Sequence, residues 1–110
     1  MEALNKIAYG ELKKFSDQQL IDCTGTLCSC SGGFTDMSFR YIESHGLCED
    51  SQYPYTGTKQ ACKPTQCTFR VSDYDYVDNC NGIGKVIQQR PLSVAVDATN
   101  WKDYSSGVFM

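Results

Sequence analysis

Seven cysteines in a chain of 110 residues cannot all pair with one another. At least one sulfur has its partner on another stretch of protein, or stays a free thiol. A chain of this length buries only a modest core, and cross-links are the common remedy, so the cysteine density points to an oxidising compartment: lysosomal, vacuolar or extracellular. Zinc is the rival use of cysteine. C-x2-C knuckles and a His-x3-5-His pair are both absent, and the single histidine, His45, stands alone, so no metal and no cofactor is expected.

Three of the cysteines fall in one stretch, Cys23 to Phe34, and are followed within it by two consecutive glycines, Gly32 and Gly33. Adjacent glycines leave a bare backbone that another chain can approach closely, and flanking cysteines can hold such a loop rigid. Two readings stand open at this point: a surface that receives a peptide, or a cross-linked turn with no ligand. The net charge of −3 is spread along the chain, with no basic stripe for nucleic acid and no polybasic run for anionic lipid. No apolar run is long enough to span a bilayer, so neither nucleic acid nor membrane is expected as a partner. The N-terminus has an amphipathic helical pattern rather than the apolar core of a signal peptide, which makes a secreted-type chain look incomplete.

Leu4, Ile7 and Ala8 recur at helical spacing over residues 1–9, and Gly10 is placed to end that helix in a left-handed conformation. Ser16 and Gln19 form a capping box flanked by the staple residues Phe15 and Leu20, so a second helix starts there and delivers Cys23 at its end. A third helix, capped by Thr35 or Asp36, carries Met37, Phe39, Tyr41 and Ile42 and stops at Gly46; His45 in its last turn reads as a capping or solvent-facing residue. Tyr53-Pro54-Tyr55 is extended, because a residue before proline avoids the helical region. Residues 69–77 read as a strand, 79–89 as a short helix stopped by Arg90-Pro91, and 92–98 as a second strand with Leu92, Val94 and Val96 on its core face. The composition shifts near residue 68, which divides the chain into a helical, cross-linked portion (1–68) and a β portion (69–110).

The order F-S-D-Q-Q-L-I-D-C, C-S-G-G-F, Y-P-Y, P-L-S-V-A-V-D-A and Y-S-S-G-V-F resembles the middle of a papain-family cysteine peptidase of the cathepsin L-like branch. There the corresponding pattern runs S-E-Q-x-L-V-D-C, C-N-G-G, Y-P-Y, P-[IV]-S-V-A-[IV]-D-A and Y-x-S-G-[VI]-[FY]. The resemblance implies an α+β, papain-like two-domain fold, incomplete here: most of the helical left domain plus the first strands of the right-hand β-barrel domain. It implies peptide-bond hydrolysis through a cysteine and histidine dyad in the full-length enzyme. The family's C-G-S-C-W nucleophile segment, oxyanion-hole glutamine, histidine and asparagine are not in these 110 residues, so no catalytic residue is assigned and the chain alone is expected to be inactive.

The resemblance also implies that Cys23 pairs with Cys62, and that the partner of Cys30 lies upstream. Cys28, Cys48, Cys67 and Cys80 exceed the family's usual set, with Cys67–Cys80 and Cys28–Cys48 among the pairings open to them. By the same resemblance Gly32 and Gly33 are a cleft-edge backbone for extended peptide or protein substrates. Phe34 and Thr35 wall the S2 pocket, Ala95 floors it, and Ala98 lies toward the primed side, which suits a bulky apolar or aromatic side chain. Cystatin-type or propeptide inhibitors are the other partners implied for the full-length enzyme. Two departures stand out: Ser31 replaces the asparagine of C-N-G-G, and Thr35 stands where methionine or proline is common. Two alternatives to a protease segment are a non-catalytic papain-like peptide-binding module and a small disulfide-rich structural domain.

Overall fold

Three short helices within residues 2–45, tied to the loops that follow them by buried side-chain amides and two disulfides, carry the core of the described residues. A computed structural model describes residues 1–25, 28–63 and 66–108. Helix α1 (Glu2–Tyr9) ends where Gly10 adopts φ 76° and donates its N–H to the Lys6 carbonyl. Of Leu4, Ile7 and Ala8, only Leu4 packs on the core; Ile7 and Ala8 are exposed. Asn5 is buried instead, and its amide donates to the Glu11 carbonyl at 2.7 Å.

Helix α2 (Asp17–Cys23) starts at Ser16, whose hydroxyl accepts the Gln19 N–H at 3.0 Å. The reciprocal half of the capping box does not form. The Ser16 N–H donates to the Cys48 carbonyl, and the Gln19 side chain is engaged elsewhere: its amide donates to Gly46 O at 3.2 Å and its oxygen accepts the Cys48 N–H at 2.8 Å. Those backbone groups are buried, so leaving them unpaired costs more than leaving a helix cap half-made.

Helix α3 (Thr35–His45) begins after Phe34 with no side-chain cap, because Thr35 and Asp36 already lie in its first turn. It stops at Gly46, at φ 81°, where a Cβ would stand 2.7 Å from the Cys67 carbonyl oxygen. Only glycine combines that backbone angle with so close an approach. The core then closes in two clusters: Phe15, Ile42, Leu47 and Val71, with Leu4, Leu20, Tyr41 and Phe69 packed around them, and Cys48, Tyr53 and Cys67 with Cys23 beside them.

Disulfides join Cys23 to Cys62 and Cys48 to Cys67. The second overturns both of the alternatives open from the sequence, Cys67–Cys80 and Cys28–Cys48. An antiparallel bridge between Leu47 and Phe69 brings the neighbouring Cys48 and Cys67 to a Cα–Cα distance of 4.6 Å, within reach of one another. Cys80 is left as an exposed thiol.

Val71 is the last buried residue among those described; every described residue from 72 onward is exposed or partly exposed. Helix α4 (Cys80–Val86) is capped by Asn79, whose side chain accepts the Gly82 N–H at 2.7 Å. The two strands expected over 69–77 and 92–98 are not formed among the described residues. The first makes only the Leu47–Phe69 bridge, and the second leaves Val94 60% and Val96 55% exposed. Period-two alternation needs both a neighbouring strand and a layer to bury its apolar face, and neither lies against this segment. Beyond it, the Thr99 N–H and hydroxyl both bond the Asp97 carboxylate, turning the chain into a short 3-10 helix at Trp101–Asp103. No described helix is long and apolar enough to cross a membrane.

Candidate functional site

The paired glycines sit on a small hairpin. Strands β1 (Cys28–Ser29) and β2 (Gly32–Gly33) are antiparallel, with Cys28 opposite Gly33 and Ser29 opposite Gly32, and β1 packs beside α2. Gly32, at φ 115°, takes a backbone conformation that side chains disfavour, and the Ser31 N–H donates to the Ser29 hydroxyl at 3.2 Å across the turn. Both glycines are exposed, and β2 has a neighbour on one side only in this two-stranded sheet. An extended peptide could therefore add along its outer edge by main-chain hydrogen bonds. Cys30, in the hairpin turn, is an exposed thiol.

A buried carboxylate, Asp22, lies near the end of α2, the helix that precedes the hairpin. Asp22 accepts the Tyr53 hydroxyl at 2.8 Å, the Gln60 N–H at 2.7 Å and the Gln18 amide at 2.8 Å. Burial alone would push this carboxyl up, but the Gln60, Tyr53 and Gln18 donors together hold it below the ordinary carboxylate range. Tyr53 is raised, first by burial and then by its bond to Asp22, so it remains the donor of the pair. With the Cys23–Cys62 disulfide one residue further on, this network fixes where α2 hands over to the cysteine and glycine stretch.

Beyond the hairpin, a cavity of about 270 Å3 takes Thr35, Asp36 and Phe39 from α3, Leu92 and Ala95 from the extended segment, and Tyr74 and Tyr76 from between them. Thr35 and Ala95, far apart in sequence, thus share one cavity. Phe34 is 72% exposed and, like Ala98, is not among the lining residues. Asp36, Tyr74 and Tyr76 are cavity residues that the sequence reading passed over. The two tyrosines stand in an alternating Tyr74-Asp75-Tyr76 run that reads as a strand, while nothing local marks Asp36 as a cavity residue. The Tyr76 hydroxyl donates to Asp36 Oδ2 at 3.1 Å, and Arg40 Nε donates to the Tyr74 hydroxyl at 2.7 Å.

No described hydrogen bond joins Cys30 or Cys80 to the one imidazole. His45 Nδ1 lies 3.3 Å from the Tyr41 carbonyl, and its ring stacks on Tyr41 at 4.7 Å, which is the environment of a helix-end side chain. No cluster of potential metal ligands occurs among the described residues.

A family described as papain family cysteine protease matches residues 1–110. Among curated proteins, cathepsin L 2 of Paramecium tetraurelia is 36% identical over 112 residues, covering 98% of this chain and 36% of that protein. Cysteine protease XCP2 of Arabidopsis thaliana is likewise 36% identical, over 118 residues, covering 99% of this chain and 33% of that protein. Among solved structures, digestive procathepsin L 3 of Tenebrio molitor larval midgut superposes with a TM-score of 0.72 at 30% identity, over 80% of this chain and 31% of that one. The proform of the Amb a 11 cysteine protease, a ragweed pollen allergen, gives a TM-score of 0.57 at 37% identity over 64% of this chain and 22% of that one. The chain spans about a third of the length of the first of these relatives.

Proposed function

The chain belongs to the papain family of cysteine proteases, and on that premise we propose that these residues supply one wall and the S2 pocket of the substrate cleft in a longer endopeptidase. The observation that supports this reading is the shared cavity of Thr35 and Ala95, two of the three positions that the family resemblance assigns to S2. Gly32 and Gly33 supply the main-chain edge for the substrate backbone. Phe34, exposed next to that edge, borders the peptide rather than lining the cavity, and Ala98 lies further along. The two disulfides and the relatives' family suit an oxidising lysosomal, vacuolar or extracellular compartment.

Hydrolysis needs a thiolate, and a thiol becomes one when an imidazolium or a helix N-terminus lowers its pKa. Neither Cys30 nor Cys80 has an imidazole partner among the described residues, which supports reading the 110-residue chain by itself as non-catalytic. The test is to incubate this chain, and separately the longer protein that carries it, with an epoxide that alkylates papain-type active-site cysteines, and to measure intact masses. One label on the longer protein and none on the chain is expected. Stoichiometric labelling of the chain would overturn its assignment as a non-catalytic segment. Absence of labelling and hydrolysis in the longer protein would favour a non-catalytic module that binds peptides through the Gly32-Gly33 edge.

A further inference from the structure

On the cleft reading above, we propose that Asp36 and Arg40 are positioning residues: with Tyr76 and Tyr74 they form a two-rung ladder that holds the walls of the cavity at a fixed separation. Asp36 and Arg40 stand four apart on α3, which puts them on one face of the helix and about 6 Å apart along its axis. Tyr74 and Tyr76 stand two apart outside any helix, the spacing that sends both side chains to one side of an extended chain, about 7 Å apart. The two spacings match closely enough for both bonds to form at once. Arg40 Nε donates to the Tyr74 hydroxyl at 2.7 Å and the Tyr76 hydroxyl donates to Asp36 Oδ2 at 3.1 Å, so the tyrosine segment runs antiparallel to α3.

Both rungs join residues 1–71, which hold every buried residue described, to residues 72–108, which hold none. Rings reinforce them: Phe39 of α3 lies 5.7 Å from Tyr74, and Tyr74 meets Tyr76 edge to face at 5.9 Å. Asp36, Phe39, Tyr74 and Tyr76 all line the cavity that Thr35 and Ala95 share, so the ladder is part of the wall it positions. Arg40 is not a lining residue and acts through Tyr74. Because both bonds are exposed, water can replace either partner, and losing a rung costs the whole molecule little. The local effect is larger: a lost rung frees the Ala95 side of the cavity to shift against Thr35, and a substrate side chain held between them loses contact with one wall.

The experiment uses the longer protease that carries residues 1–110 and two fluorogenic peptides that differ only in having leucine or alanine at the residue entering the cavity. Arg40→Ala and Tyr74→Phe should each raise KM for the leucine peptide by about fivefold, the size of one lost hydrogen bond, while kcat and the alanine peptide change by less than about twofold. Tyr76→Phe should show the same split through the other rung. Combining Arg40→Ala with Tyr74→Phe should cost no more than either alone, because the two changes remove one rung. Arg40→Lys, which still offers a donor, should restore most of the KM. Equal losses on the two peptides, as a general loss of folding would give, overturn the positioning role, and so do additive losses in the double variant. Unchanged KM in every ladder variant also overturns it but leaves the cleft reading in place, provided that Ala95→Trp still penalises the leucine peptide. If Ala95→Trp is silent as well, the cleft reading itself fails and the positioning role with it.

Discussion

The Tyr53 hydroxyl donates to Asp22 Oδ2 at 2.8 Å with both residues buried, tying the 46–60 loop to the end of the helix that delivers Cys23. The same hydroxyl accepts the Lys63 N–H at 3.2 Å, so one oxygen serves the carboxylate and the segment that carries Cys62. Tyr53→Phe should therefore cost about 1–3 kcal/mol, the usual penalty for stranding buried hydrogen-bonding groups. Chemical denaturation of the variant and the parent checks it. A midpoint unchanged by the substitution would mean that the hydroxyl is replaceable by water.

Acid should act on the same group. Folding depresses the Asp22 carboxyl below its ordinary value of 3.8, so its contribution to stability is complete above that value and is lost as pH falls through the lower, folded value. Asp22→Asn should lower stability at neutral pH and flatten its decline below about pH 4. Melting curves collected from pH 2 to 7 would show a parallel decline in the two proteins if Asp22 were not a source of acid sensitivity.

Gln19 links α2 to both ends of the Gly46–Cys48 turn, and its amide also lies 3.4 Å from Cys67 Sγ. Gln19→Leu keeps the bulk but strands the Cys48 N–H and the Gly46 carbonyl, at about 1–3 kcal/mol for each buried group left unpaired. The variant is expected to lose cooperative unfolding or much of its thermal stability. Retention of the parent's melting temperature would contradict the bridging role.

Gly46→Ala meets two obstacles together: a φ of 81° and a Cβ position 2.7 Å from the Cys67 carbonyl. At φ 81° and ψ 168° the backbone lies in a region that is essentially glycine-only, where another residue costs about 1–3 kcal/mol before any clash is counted, so the loss should exceed that figure. Gly10→Ala provides the contrast, because a Cβ there meets nothing within 4 Å and only the backbone term remains. Equal losses in the two variants would show that neither the rarer backbone conformation of Gly46 nor its close approach to Cys67 adds a cost.

Local chemistry made much of the helical half legible. Ser16 caps α2, and Gly10 and Gly46 stop α1 and α3, because each of those signals acts within a few residues. Signals that depend on distant partners were not legible. Gln19 reads as a capping-box residue until the buried turn that competes for it is known, and Cys48–Cys67 follows from a bridge between Leu47 and Phe69 that no cysteine spacing reveals. Val94 and Val96 alternate as a strand does, yet a strand is defined by its neighbour. At the site, motif order drew attention to Thr35 and Ala95. Asp36 was invisible as a cavity residue because its partner, Tyr76, lies forty positions further along the chain.

Disulfide connectivity gives a separate check. Proteolysis without reduction, followed by mass spectrometry, should yield linked peptides containing Cys23 with Cys62 and Cys48 with Cys67. Peptides joining Cys67 to Cys80, or Cys28 to Cys48, would contradict the arrangement of the core around Tyr53.

The most direct test of the central claim, that Thr35 and Ala95 share a cavity which receives a substrate side chain, is cavity filling. In the longer protease, kcat/KM is measured for two peptides that differ only in having a long side chain or alanine at S2, with and without Ala95→Trp. The long side chain should lose about tenfold or more, mainly through KM, while the alanine peptide is little affected, since filling a pocket penalises only what must enter it. An unchanged ratio between the two peptides would place the substrate somewhere other than this cavity.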